Sequence, residues 1–553
     1  MTGETKGDFR PFRHPFVNGA RVQGGVGDAA RTVVDLAMSE LSRYIRRQDG
    51  WWTLFQCPDV RAQWAAEALA EPIAVRAPSH DFRVWLTPQQ VEYVLEELQG
   101  YASLRDKQNN WQISCFERIW ESEAILDNLV RTKLNRQLSR FLETIPDKLV
   151  HREGDELTRH IIDPYLYPLI YGGTLAYEPA REGFLRPEPA PSTIDRTTDF
   201  LSHEYACLPC DFLVSQGGTA RALSYINNIH PRHSALYRHF DELISKCVPM
   251  FEHVLTDLHA DNPHRERIQG PSVAEWDEPE PPDFSGDIVD WSAFESKKRQ
   301  WIIRRSMEPD IPTTGYPGGL EERPNIVRLE GMTLQVIIHV YEICIKPGGP
   351  SFQGSQWRVE GMKNESIVAC VLYNSSCDNI TGSSIEFRMA VKTPPVFPGR
   401  GHQDMTIKTW GLQTGDPCHQ YIGSVSLRQG LCIAFPNIYQ YHLTPFSLTD
   451  PSKEGHQRII GLYLVDPSIA PLVSTQAVPP QQKAWTRSSL ETRTRGIFPV
   501  ELIDKVLNEV DGVMDIDEAL ECRERMVKER TRLSVLNDIQ YFNIPYTAGD
   551  NIY

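Results

Sequence analysis

The chain has 553 residues, with 73 acidic against 57 basic side chains and a formal net charge of −16. Nucleic-acid binding needs a basic footprint, so this balance argues against a DNA or RNA partner. Hydrophobic residues make up 41% and aromatics 10%, which excludes a disordered chain and allows several packed subdomains or one large core in a helical envelope.

Region 1–150 reads as mostly helical. The stretches "DAARTVVDLAMSELSRYIRR", "TPQQVEYVLEELQGYASL" and "SEAILDNLVRTKLNRQLSRFLETI", between Asp28 and Ile145, carry apolar residues at three- and four-residue spacing. Region 151–271 is a mixed α/β connector in which "ALSYINNIHPRHSALYRHFDELISKCVPMFEHVLTDL" passes from an extended piece through a proline turn into a long amphipathic helix. Region 272–327 opens with "SVAEWDEPEPPDFSGD", the acidic, proline-rich composition of a linker.

The texture changes over 328–485. Short apolar runs, among them "TLQVIIHVYEICI", "IVACVLYN", "SSIEFRMAV", "GLCIAFPN", "YQYHLTPF" and "RIIGLYLVDP", alternate with Gly, Pro, Asn and Asp, the pattern of a β-sandwich or barrel. Region 486–553 returns to helix. The N-terminus lacks an apolar signal-like core, and "LQVIIHVYEICI" is too short to span a bilayer, so a soluble, cytoplasmic protein without a membrane partner is expected. Eleven irregularly spaced cysteines fit reduced, buried thiols, and the "CLPC" of Cys207 and Cys210 lacks the further ligands of a zinc site.

The chemistry-bearing stretch is "QWRVEG". Strand alternation puts residues i and i+2 on one face, so Arg358 and Glu360 point the same way. An HxE pair so placed, joined by a histidine from a later strand, is the facial triad of non-haem iron sites. The later strand here is "YQYHLTPF", and Arg458 follows on the next.

The pieces "DPYLYPLIYGGT", "SYINNIHP", "SQWRVEGMKNESIVA", "GLCIAFPNIYQYHLTPF", "GHQRIIGLYLVDP" and "VPPQQ" resemble an uncharacterised fungal protein family whose β-domain is related to the iron(II)- and 2-oxoglutarate-dependent oxygenases. The resemblance runs from about Ile161 into the C-terminal helices. It implies an α+β protein with a double-stranded β-helix (jelly-roll) core and an extensive helical envelope. It also implies Fe(II) and 2-oxoglutarate as cofactors and a small-molecule substrate.

The family's "WHVEGM" is "WRVEGM" here and its "FQHRVSPF" is "YQYHLTPF", so Arg358 and Tyr441 stand where two metal-binding histidines would. Arginine has no lone pair to give, and phenol ionises only near pH ~10. Glu360 and His442 are the surviving ligand candidates; His442 faces inward if the strand carries a one-residue bulge and outward otherwise. Arg458 is the candidate for holding the co-substrate carboxylate, with the inward choice between Gln457 and Arg458 open. His339, His402 and His419 lack ligand spacing to Glu360.

Two functions follow. One is an oxidoreductase of the iron/2-oxoglutarate type acting on a small molecule. The other is a pseudoenzyme without cofactor, a binding or partner subunit, homo- or hetero-oligomeric, in which Arg358 supplies the positive charge of the metal.

Overall fold

The computed structural model describes residues 12–22, 24–146, 149, 157–178, 183–191, 199–262, 266–268, 281–282, 288–304, 309–394, 402–494 and 497–547. Most of the stretch read as an acidic linker, 272–280 and 283–287, lies outside the described residues. A helix over Ile288–Arg304 follows it.

The helices form where their signals stand. In α1 (Val33–Arg46) the Thr32 side chain accepts the Asp35 amide at 3.0 Å, and Leu36, Ala37, Leu41 and Ile45 bury one stripe. In α2 (Pro88–Leu104) Thr87 and Gln90 close a capping box and Pro88 opens the first turn. Between α2 and the next helix a short hairpin, β1 (Gln112–Ile113) and β2 (Trp120–Ser122), interrupts the region read as helical. Then come α3 (Asn128–Thr144), β3 (Thr158–Ile162), β4 (Cys210–Val214), β5 (Ala220–Ala222) and α4 (Ser234–Leu258).

The long strands begin with β6 (Thr333–Ile345), followed by β7 (Ile367–Asp378), β8 (Ser384–Ala390), β9 (His419–Ser426), β10 (Cys432–Pro436), β11 (Tyr439–Leu443) and β12 (Gly455–Val465). Nine strands form one antiparallel sheet in the order β5-β4-β6-β12-β7-β10-β2-β1, with β3 also paired to β6. A second sheet has the order β9-β8-β11. The protein is thus α+β with a large antiparallel sheet, and that sheet takes strands from well outside 328–485.

The two sheets meet through aromatic rings: Phe435 of β10 lies 5.0 Å from Phe387 of β8 and 5.1 Å from Tyr441 of β11. The other face of the large sheet is covered by α3 and α4, so its central strands are buried on both sides and read as continuous apolar runs. The C-terminal helix α5 (Ile516–Asn537), started by an Asp515/Glu518 capping box, crosses the open end between the sheets. His419 Nδ1, 3.1 Å from the Phe542 carbonyl, and Arg388, 2.8 Å from Asp538, tie its end to the small sheet. No helix among the described residues is long and apolar enough to cross a membrane.

Candidate functional site

Residues 352–361 run along the edge of β11. Phe352 exchanges backbone hydrogen bonds with Phe446 (3.0 and 3.1 Å), and Arg358 does so with Tyr441 (3.1 and 3.0 Å). Residues opposed in this way project to one side of the ladder, and Glu360 joins them two residues on. Three side chains therefore share one face.

Glu360 is fixed through its backbone. Asn437, buried in the turn after β10, accepts the Glu360 amide at 2.8 Å and donates to the carbonyls of Glu360 (2.8 Å) and Ile367 (3.0 Å). The next residue, Gly361, turns the chain at φ 84°, and a Cβ there would lie 2.7 Å from the Ile367 Cδ1. Any other residue would be strained at this φ and would press on the Ile367 side chain.

Both other side chains end on one oxygen of Glu360. The Tyr441 hydroxyl donates to Oε1, and Arg358 Nε donates to the same atom at 3.2 Å and to the Tyr441 oxygen at 3.3 Å. The Glu360 side chain is 5% exposed and that of Arg358 30%. Burial pushes the Tyr441 phenol well above its usual value, and Glu360 adds to the rise while Arg358 opposes it. Tyr441 is thus a neutral phenol whose proton points at the carboxylate. Burial works against the charge on Arg358, but Tyr441 and Glu360 outweigh it and hold the guanidinium above its ordinary value.

Arg358 and Glu360 line a cavity of about 660 Å³, with Tyr441 buried behind them. The large sheet contributes His339 and Tyr341 to its wall, β3 contributes His160, and α5 contributes Arg530. His160 Nδ1 lies 2.7 Å from His339 Nε2 with the rings parallel, and His339 Nδ1 lies 3.4 Å from the Tyr463 hydroxyl. Beside them, burial would raise the Asp163 carboxyl, but His160, Arg523 and His339 outweigh it and hold it at about 2. Arg530 pairs with the buried Glu365 at 2.7 Å and lies 4.6 Å over the Tyr165 ring.

His442 and Arg458 are placed elsewhere. His442 projects from the opposite face of β11, 2.9 Å from Glu386 and 4.1 Å from the Trp357 ring, so no bulge swings it inward. Arg458 lies on the helix-facing side of the large sheet, where it pairs with Glu342 at 3.0 Å and reaches Asn135 and Ser139 of α3. Its neighbour Gln457 takes the inner face and bonds Ser383 at 2.9 Å. His419 is buried against the Phe542 carbonyl, and the side chain of His402 lies outside the described residues. Cys207 and Cys210 are both buried, with Cys210 turned to Ser224.

The donor set does not fit iron(II). Arg358 has no lone pair, the Tyr441 oxygen keeps its proton, and the Glu360 oxygen that faces them accepts two hydrogen bonds. Among the described residues no group of three or more His, Cys, Asp or Glu side chains could hold a metal ion. Sequence reading missed Asn437, Arg530 and the His160–His339 pair, which have no local motif and meet the site only through the fold.

Among solved structures, the Fe(II)/(alpha)ketoglutarate-dependent dioxygenase TqaL matches over 62% of this chain and 90% of its own, at 9% identity and a TM-score of 0.22. IDO from Bacillus thuringiensis matches over 32% of this chain and 60% of its own, at 9% identity and a TM-score of 0.16. The vicilin from Solanum melongena matches over 40% and 49%, at 12% identity and a TM-score of 0.12. The chain thus spans less than two thirds of IDO and of the vicilin. No curated protein matches it. Residues 88–489 match the family model described as a protein of unknown function (DUF4246), and the chain belongs to that family.

Proposed function

We propose that this protein is a non-catalytic small-molecule binder on a double-stranded β-helix, with the charge of Arg358 in place of a metal ion. The observation that carries the reading is the convergence of Arg358 and Tyr441 on one oxygen of Glu360 in the wall of a roomy cavity. A carboxylate so neutralised needs no cation, and the cavity beside it has a size suited to a small organic ligand.

The oxygenase reading would use Fe(II) on Glu360 and His442, with Arg458 holding 2-oxoglutarate. It requires His442 to leave Glu386 and cross to the other face of β11, and Arg458 to leave a buried ion pair with Glu342. Arg159 also holds Glu342, so the move would leave that carboxylate with one guanidinium in place of two and give up the Arg458 contacts to Asn135 and Ser139.

The test is metal content and 2-oxoglutarate affinity of protein produced in iron-replete cells and purified without oxygen. The expected result is no stoichiometric iron and no 2-oxoglutarate binding. One iron per chain, lost in Glu360→Ala, overturns the reading and restores the oxygenase.

A further inference from the structure

We infer that the ligand of this cavity is an amphipathic monocarboxylate whose carboxylate docks on the outer edge of the Arg358 guanidinium. The inference rests on the binding reading above and names the ligand class.

Arg358 uses only Nε toward Glu360 and Tyr441; among the described residues, Nη1 and Nη2 make no hydrogen bond. The side chain is 30% exposed and lines the cavity, so the unused edge is within reach of a ligand. That edge presents two parallel N–H donors in one plane, the geometry that matches a carboxylate through two hydrogen bonds. The inner edge is anchored, so the fork is already held in place and little rotamer freedom is lost on binding.

The charge balance selects a single negative charge. Arg358 sits beside Glu360, Arg530 beside Glu365, and Asp538, which also lines the cavity, beside Arg388. Each of these three guanidinium groups is matched by a carboxylate, so a dianion such as a phosphate monoester would bring a second negative charge against Glu360 with no net positive charge among these pairs to balance it. A monoanion adds only one charge, met by the open edge of Arg358.

The rest of the wall selects an apolar body. Ile343, Phe352 and Leu443 line one side, and Val527, Val535 and Ile539 come from the C-terminal segment across the mouth. Val535 is 56% and Ile539 60% exposed, an apolar rim that a bound hydrocarbon or aromatic body would cover. Acid at the Arg358 end and apolar body toward α5 is the orientation this lining dictates.

The experiment is calorimetric titration of the full-length protein at neutral pH with 3-phenylpropanoate and, separately, with its uncharged amide. The expected result is binding of the acid at least tenfold tighter than the amide, with that preference lost in Arg358→Gln and partly kept in Arg358→Lys. The acid-against-amide comparison on the unmodified protein stands even if a variant does not fold. Equal affinity for acid and amide overturns the carboxylate inference while leaving the binding reading intact, and binding of neither overturns the ligand class. Iron at one per chain removes the binding reading itself.

Discussion

Tyr441 and Arg358 face each other across a pair of backbone hydrogen bonds and deliver both side chains to a single oxygen of Glu360. Three positions on one face at this spacing would suit a two-histidine, one-carboxylate site if histidines stood at 358 and 441. The double variant Arg358→His, Tyr441→His should therefore bind one Co(II) or Zn(II) per chain by calorimetry, where the unmodified protein binds none at this site. The single variant Arg358→His, with one imidazole and Glu360, should bind more weakly. A folded double variant that takes up no metal would show that the three positions do not converge as described.

Asn437 holds the backbone on both sides of the turn that carries Glu360. Asn437→Ala strips partners from one amide and two carbonyls in a buried place, and unmet buried groups are costlier than the bonds themselves. The variant should lose about 2–4 kcal/mol in urea unfolding. Asn437→Asp keeps the acceptor for the Glu360 amide but not the donors, and should lose less than alanine at low pH, where the new carboxyl can be protonated.

What the sequence made legible follows from the range of each signal. Two-residue spacing puts Arg358 and Glu360 on one face whatever the segment pairs with, and capping residues such as Thr32 and Thr87 mark helix starts locally. The direction of His442 depends on the register between β8 and β11, where Glu386 opposes it, and the choice between Gln457 and Arg458 depends on the register between β6 and β12. Neither register is written in the strand itself. The hairpin Gln112–Ser122 is too short to show alternation and gains its place only by pairing with β10. Asn437 and Arg530 act across 77 and 165 residues, beyond any local motif.

His419 gives the fold a pH dependence of defined sign. Burial, and then Arg388, lower its value from 6.5 to about 4. Between those values the unfolded chain binds more protons than the folded one, so stability falls as pH drops from 6.5 toward 4, by at most ~1.4 kcal/mol per pH unit. His419→Gln removes the titrating group, and its urea midpoint should change less between pH 7 and pH 5 than that of the unmodified protein. Parallel pH profiles for the two would assign the acid sensitivity to other groups.

Away from the cavity, Arg267 joins α1 to α2 through a buried ionic cluster. It meets both oxygens of Glu97 at 2.8 and 2.7 Å and Asp35 at 2.9 Å, and Arg31 holds the other Asp35 oxygen at 3.0 Å. Burial raises the Glu97 carboxyl, and Arg267 is the chief group opposing that rise. Arg267→Met takes the main cation from buried Glu97 and one of two from Asp35, and should cost about 3–5 kcal/mol at neutral pH. The loss should shrink as pH falls, because a carboxyl deprived of its guanidinium takes a proton and escapes the burial penalty. Arg267→Met with Glu97→Leu removes both ends of the bidentate pair and should be more stable than the single variant. A double variant as unstable as the single one would show that packing, not the stranded charge, accounts for the cost.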